Sequence, residues 1–362
     1  MIQHFVSISG GKDSAATACL AIERAEKRDM NMRFMFADTG NEHDVTLEHI
    51  AYMERTLGIT VETVRADFTH RFQARREAIA RDWSKELRRK MHSPECLARQ
   101  RDDLAYAERA ALRGRCDCPI KVSPPVPDDL IARAIEMMVP SGNPFLDMAM
   151  LHGRFPGTKT RFCTSELNLE PMDRVKDPIR MAGTPIVEWI GERADESRAR
   201  ANKPMLEIRR CTFRAPAVMY RPLIHQTALD AFAIAKRHGL KPNPLYLMNM
   251  GRVGCFCINI TKNELRETAL RFPKVIARIR EWEGIVDNVS RRAASGGSCA
   301  TFIPAVNIPG GLDDPRTGRI DGQIAWSNTT KGGRNFDLLH HLDAMDGPDQ
   351  QRSCSSQYAL CE

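Results

Sequence analysis

Residues 7–14 read SISGGKDS, and the β-rich run HFVSI (4–8) leads straight into them. Gly10 and Gly11 let the backbone turn sharply and bring its N–H groups close to an anion. A helix that starts just afterwards, from about Ser14, adds the positive end of its dipole. Lys12 supplies a full charge, and Ser9 and Ser14 supply hydroxyl donors. The string is not a Walker A loop: Val6 stands where that motif needs Gly, and Asp13 follows Lys12 in place of Ser or Thr. Asp13 is the informative residue. A carboxylate beside a phosphate calls for a cation between them, which makes Asp13 a candidate Mg²⁺ ligand. The plain alternative is a Gly-rich strand-to-helix turn with no ligand. Neither Lys12 nor Asp13 is expected in the core.

Working outward, SAATACLAIERAEKR (14–28) reads as a helix and MRFMFA (32–37) as a strand that ends at DTGNE. DVTLEHIAYMERTLG (44–58) is a second helix, capped by Asp44 and stopped by Gly58, and ITVETV (59–64) is a third strand. This β-α-β-α-β order at short spacing predicts a doubly wound α/β fold with a mostly parallel sheet. Ligands of such sheets bind at the carboxyl ends of the strands, where both SGGKDS and ADTGNE fall.

The rhythm breaks at residues 68–140. That stretch is Arg-rich and helical in pattern, with a Pro-rich joint VSPPVPDD (122–129), and reads as an inserted helical segment. The nucleotide-binding core is then 1–67 plus 141–240, followed by a Cys-containing region at 241–362. Within it KNELRETALRFPKVIARIREWEG (262–284) is helical on both sides of Pro273, and the tail from about 294 reads as mostly loop.

The chain has 362 residues, a net charge of +7 and eleven cysteines. No apolar run reaches the roughly 20 residues that span a bilayer. The N-terminus lacks a basic region followed by an apolar one, so the expected compartment is the cytoplasm. There the cysteines are buried thiols, metal or cluster ligands, or redox groups rather than structural disulfides. The basic run HRFQARREAIARDWSKELRRK (70–90) raises nucleic acid as a partner, but its charges alternate in sign, as on a solvated helix face. An oligomer is compatible with the sequence.

SGGKDS resembles the pyrophosphate-binding loop of the PP-loop, or adenine nucleotide alpha-hydrolase-like, enzymes, whose fold is Rossmann-like. Within that group ADTGNEHDVTLEHI, GTKTRFCTSELNLEP and GERADESRARANKP are similar to phosphoadenosine phosphosulfate (PAPS) reductase-like proteins, including those of phages and prophages. The resemblance implies phosphate binding by Ser9, Gly10, Gly11, Lys12, Asp13 and Ser14. It implies adenosine contact near Asp38, Thr39 and Gly40. Lys159, Thr160 and Arg161 would approach the anionic end of the substrate, and Arg193, Glu196, Ser197 and Arg198 would line the opposite wall. Lys12, Asp13, Arg161 and Arg193 are then the catalytic candidates. For the stretch around Arg193 the alternative is a charged, solvated helix start.

Among the enzymes this chain resembles, those that keep an intact SGGKDS cleave ATP, so the resemblance implies ATP, with Mg²⁺, cleaved between its α and β phosphates to activate a substrate for sulfur transfer. A true PAPS or APS reductase is the alternative. Such a reductase implies a nucleophilic Cys near the C-terminus in a Glu-Cys-Gly context, whereas Cys361 stands in YALCE. A nucleic-acid-binding component of a DNA-modification or defence assembly is the third reading. The remaining expectation joins Cys255 and Cys257, in GCFC, to Cys354 and Cys361 as ligands of one iron–sulfur cluster, [4Fe–4S], with zinc as the other occupant.

Overall fold

The computed structural model describes residues 2–91, 118–158, 160–209, 215–297, 299–305, 308 and 315–329. Its strands are β1 (Gln3–Ile8), β2 (Met32–Asp38), β3 (Val61–Arg65), β4 (Leu87–Lys90), β5 (Ile120–Ser123), β6 (Ile186–Trp189), β7 (Leu206–Arg209) and β8 (Ala217–Tyr220). Six of them form one sheet in the order β3-β2-β1-β6-β8-β7. Every neighbouring pair is parallel except β7 with β8. This is the mostly parallel α/β sheet that the short β-α-β-α-β spacing predicts.

β1 lies at the centre, between β2 and β6, and His4, Phe5, Val6 and Ile8 are all buried. A strand covered on both faces needs such a continuous run rather than alternation. The next element, α1 (Lys12–Arg28), presses Ala15, Ala16, Ala18, Cys19 and Ala21 into the core. These small side chains bring the helix axis close to the sheet and to the helix Ala228–Arg237, whose Ala231, Ile234 and Ala235 share the same core. α2 (Asp44–Leu57) ends at Gly58 in the left-handed region (φ 64°), as its sequence predicts, but His43 rather than Asp44 holds the cap position.

A second core lies in the helical layer. It unites Phe72, Ile79 and Trp83, from α3 (Thr69–Asp82) and its cap, with Ile131 and Ala134 of helix Asp128–Met137. The same core takes in Phe145 of helix Pro144–His152 and Ile276, Ile279 and Trp282 of helix Pro273–Asn288. Phe145 stacks on Trp282 with ring centroids 5.6 Å apart. The stretch read as an insertion and the region after 241 therefore pack on one another.

Three local readings are refined. Within 68–140 the chain also forms an antiparallel strand pair, β4 with β5. The sheet gains β7 and β8, two four-residue strands that carry little periodicity; β7 is an exposed edge whose Glu207 and Arg209 discourage further pairing. The tail is not all loop: Ile320–Ser327 is helical. It is fastened to helix Pro273–Asn288, where the buried Glu283 accepts the amides of Phe302 (2.8 Å) and Ile320 (3.0 Å). One turn on, Asp287 accepts the Ala300 amide (2.8 Å) and the Arg319 guanidinium (2.6 Å). Among the described residues no helix is long and apolar enough to cross a membrane.

Candidate functional site

The loop from Ser9 to Ser14 joins the end of β1 to the start of α1. Gly10 adopts φ 74°, and a Cβ there would lie 2.8 Å from Thr46 Cγ2, so the position requires glycine twice over. Ser14 Oγ accepts the Ser9 amide at 3.1 Å and donates to the Gly11 carbonyl at 3.0 Å, closing the turn on itself. α1 begins at Lys12, two residues earlier than its hydrophobic pattern suggests, so Lys12 and Asp13 stand in the first helical turn.

The expectation that Lys12 and Asp13 lie outside the core fails. Asp13 is completely buried and Lys12 is 4 % exposed. Asp13 Oδ2 takes the Lys12 ammonium at 3.0 Å, and Asp13 Oδ1 takes Nη1 of Arg193, itself buried. Arg193 also reaches Asp195 through Nε (3.0 Å). A buried carboxylate is tolerable only if its charge is compensated, and here two cations compensate it. The segment that delivers Arg193 leaves β6 through Gly191, where a Cβ would sit 2.8 Å from the Asp13 backbone. This close approach is what brings a residue 180 positions away onto the loop. Both carboxylate oxygens of Asp13 are thus held by nitrogen cations, so this donor set does not fit a magnesium ion.

Glu196 shares the wall. It accepts the Arg193 amide (3.0 Å) and pairs with Arg200, while its Oε1 is buried without a hydrogen-bond partner among the described residues. Burial raises its pKa above the usual carboxylate range. From the other side, Tyr246 Oη accepts the Lys12 amide at 3.1 Å and Asn243 Nδ2 donates to the Gly10 carbonyl at 3.1 Å. Sequence reading missed both. The only signal was the Asn-Pro start of the helix Pro244–Leu247, in which Asn243 caps through Oδ1 and leaves Nδ2 for the loop.

Asp38, Thr39 and Gly40 stand at the carboxyl end of β2, beside the loop in the sheet order. Asp38 accepts the Gly40 amide (2.8 Å) and faces Arg65 (3.5 Å). Thr39 donates through both its amide and its hydroxyl to the buried Glu42. Thr160 and Arg161 are exposed after a tight bridge between Gly157 and Thr160, and Arg198 is exposed at the start of a short helix capped by Ser197. Neither Arg161 nor Arg198 has an ion-pair partner among the described residues. Lys159 lies outside the described residues.

The cysteine turn docks against the same loop. Asn41 donates through Nδ2 to the Phe256 carbonyl (2.7 Å) and accepts the Phe256 amide (2.9 Å), and Glu42 bridges Cys255. Cys257 Sγ accepts from the Asn259 amide (3.4 Å) and lies 3.6 Å from Arg252. Cys163 belongs to this neighbourhood: burial, then the charge of Cys257, pushes its thiol pKa up, while burial and both other thiols push up that of Cys255. Cys354 and Cys361 lie outside the described residues. Among the described residues no three His, Cys, Asp or Glu side chains have metal-holding geometry. In the basic run after residue 70, Arg71 pairs with Glu166 (2.6 Å), and Arg81 and Lys85 share Asp82.

A family model described as a phosphoadenosine phosphosulfate reductase domain matches residues 3–116 and 156–260. A protein of Escherichia phage 186, described as an uncharacterized 37.8 kDa protein in the gpa 5' region, is 38% identical over 375 residues, spanning 99% of this chain and 96% of that protein. A crystal structure of phosphoadenylyl-sulfate (PAPS) reductase from Candida auris, in a phosphate complex, aligns over 70% of this chain and 81% of its own at 11% identity and a TM-score of 0.34. Matched by the family model over more than half its length and by the phage protein along nearly all of it, the chain belongs to the phosphoadenosine phosphosulfate reductase-domain family as a phage-type member.

Proposed function

We propose that the chain binds an adenine nucleotide on the Ser9–Ser14 loop and cleaves ATP between its α and β phosphates, leaving an adenylate activated for sulfur transfer. The observation that carries this reading is the Lys12–Asp13–Arg193 group at the N-terminus of α1, two cations held in place by one buried carboxylate. An acceptor oxygen attacks the α-phosphorus, and the bond from that phosphorus to the bridging oxygen breaks. Pyrophosphate departs with the electron pair. Lys12, Arg193 and the loop amides stabilise the charge that accumulates on it. Preorientation by Asp13 spares the site the reorganisation that free side chains would need. The Lys12 amide exchanges its Tyr246 acceptor for a phosphate oxygen as the nucleotide enters.

Asp38, Thr39 and Gly40 would border the adenosine. Lys159, Thr160, Arg161 and Arg198 would receive the anionic end, since guanidinium groups fork onto phosphate or sulfate oxygens. The two exposed arginines favour a second reading, direct reduction of a sulfonucleotide. Incubation with α-labelled ATP and, separately, with PAPS and thioredoxin decides between them. Labelled AMP or adenylate with pyrophosphate supports the first reading; sulfite from PAPS with no ATP cleavage replaces it with the second.

We also propose that Cys255 and Cys257 hold an iron–sulfur cluster, or zinc, with Cys354 and Cys361, in a cytoplasmic protein whose thiols stay reduced. The neighbouring Cys163 is a further ligand candidate. Such a group would supply electron or sulfur relay beside the nucleotide. Anaerobic purification with iron, sulfide and zinc analysis tests it, and a colourless protein without either metal removes it.

A further inference from the structure

A second concave surface lies away from the phosphate loop. A groove of about 630 Å³ opens at the far end of α1, against about 150 Å³ for the cavity beside Lys12. Its walls are the last turns of α1, the helix Ala228–Arg237, and the side chains of Trp189 and Tyr220 that end β6 and β8. It shares no residue with the loop, with the end of β2 or with Thr160 and Arg161. Its size falls within the roughly 300–1,000 Å³ of small-molecule sites.

The charge balance of the lining gives the chemistry. Arg24, Lys27, Arg28 and Arg237 face only Glu23 and Asp230. Both carboxylates are already engaged. Glu23 holds Arg237 at 3.2 Å and His238 at 2.8 Å, and Asp230 accepts the amide and the hydroxyl of Thr227 in a capping box, both at 2.8 Å. Lys27 and Arg28 are exposed and have no ion-pair partner among the described residues. Arg24 instead lies over the Tyr220 ring, 5.7 Å from its centroid, with Nη1 3.3 Å from the tyrosine hydroxyl. Basic residues in a last helical turn complement the helix dipole, and that alone makes no site. Here three of them rim a concave surface whose floor is aromatic, beside the Gln226 amide.

We propose that this groove is a second ligand site, which takes a phosphate-bearing small molecule of nucleotide size. Its phosphates would lie on Lys27 and Arg28, and its planar part against Arg24 and Tyr220. The site is separate from the loop, so the proposal stands whether or not ATP is cleaved there.

The test is equilibrium dialysis of labelled ADP against the full chain and against Lys27→Glu/Arg28→Glu, two exposed positions whose substitution leaves the fold and any loop chemistry intact. The wild-type chain is expected to bind one equivalent more than the double variant, and the additional equivalent should weaken at least tenfold between 50 and 300 mM salt. Photolabelling with an azido-adenine nucleotide should mark a peptide that contains Tyr220 in the wild-type chain alone. Identical stoichiometry in the two proteins overturns the proposal. So does a groove that ignores ADP and inorganic phosphate yet binds a 12-nucleotide single strand in a Lys27- and Arg28-dependent way, because the ligand is then a nucleic acid.

Discussion

The carboxyl edge of the sheet and the helical layer beside it are held together by opposite means. At the sheet edge the interior is charged: Asp13, Lys12, Arg193 and Glu196 are all buried within one stretch of contacts. In the helical layer the interior is apolar, built on packed rings such as Phe145, Trp282 and Phe302. Its buried carboxylates Glu283 and Glu264 accept backbone amides. A charged interior is weak as a source of stability but holds groups in one orientation. On the proposed function, the first region carries the chemistry and the second supports it.

The sharpest way to break this contrast is Asp13→Ala. It leaves Lys12 and Arg193 buried without their shared counter-charge, and should cost about 3–5 kcal/mol in urea unfolding together with all nucleotide turnover. Trp282→Ala should cost nearly as much, about 3–4 kcal/mol, yet the molecules that remain folded should keep full turnover and nucleotide affinity. If Trp282→Ala impairs the chemistry of folded molecules, the division of labour is wrong. Gly10→Ala combines a left-handed backbone with a clash on Thr46, and about 1–3 kcal/mol of destabilisation should appear together with weaker nucleotide binding.

Two buried groups, one beside the loop and one in the helical layer, should answer pH with opposite signs. Burial lowers the pKa of His49, on α2, to about 4. The unfolded chain then binds a proton that the folded one refuses, so stability is lost as pH falls from about 6.5 towards 4, on the order of 2 kcal/mol. Burial raises Glu283 to about 7. Here the folded chain retains a proton that the unfolded one releases, so stability is lost as pH rises from about 4.5 to 7. Thermal melts of His49→Phe should show a shallower acid limb and those of Glu283→Gln a shallower alkaline one, the remainder belonging to His43 and Glu42, which burial shifts to about 4 and about 7. The smallest structural effects belong to Arg161→Ala and Arg198→Ala. Each should leave stability within about 0.5 kcal/mol and still weaken nucleotide binding at least tenfold, measured by calorimetry.

The sheet was legible because its strands and crossovers are short, local and strongly patterned. β1, β2 and β3 alternate with α1 and α2 at the spacing a parallel sheet requires, and Gly58 marks a helix end by its own backbone preference. The loop was legible for the same reason, since Ser9 to Ser14 is one contiguous string. The burial of Asp13 was not, because the residue that neutralises it arrives from position 193 through the gap left by Gly191. Tyr246 and Asn243 were hidden in the same way, behind more than 200 intervening residues. β7 and β8 escaped because four-residue strands show no period long enough to read. The helix Ile320–Ser327 within the tail escaped because a polar composition conceals its anchors, Glu283 and Asp287, which lie on another helix.

If the loop takes the phosphates as proposed, the hydroxyl of Tyr246 on the Lys12 amide makes entry an exchange rather than a filling. An incoming oxyanion competes with a tethered hydroxyl that is always at hand. The traffic is therefore gated. At high nucleotide concentration the observed association rate should level off at the frequency with which Tyr246 swings away, whereas Tyr246→Phe, with no oxygen to offer, should show a rate that keeps climbing with concentration.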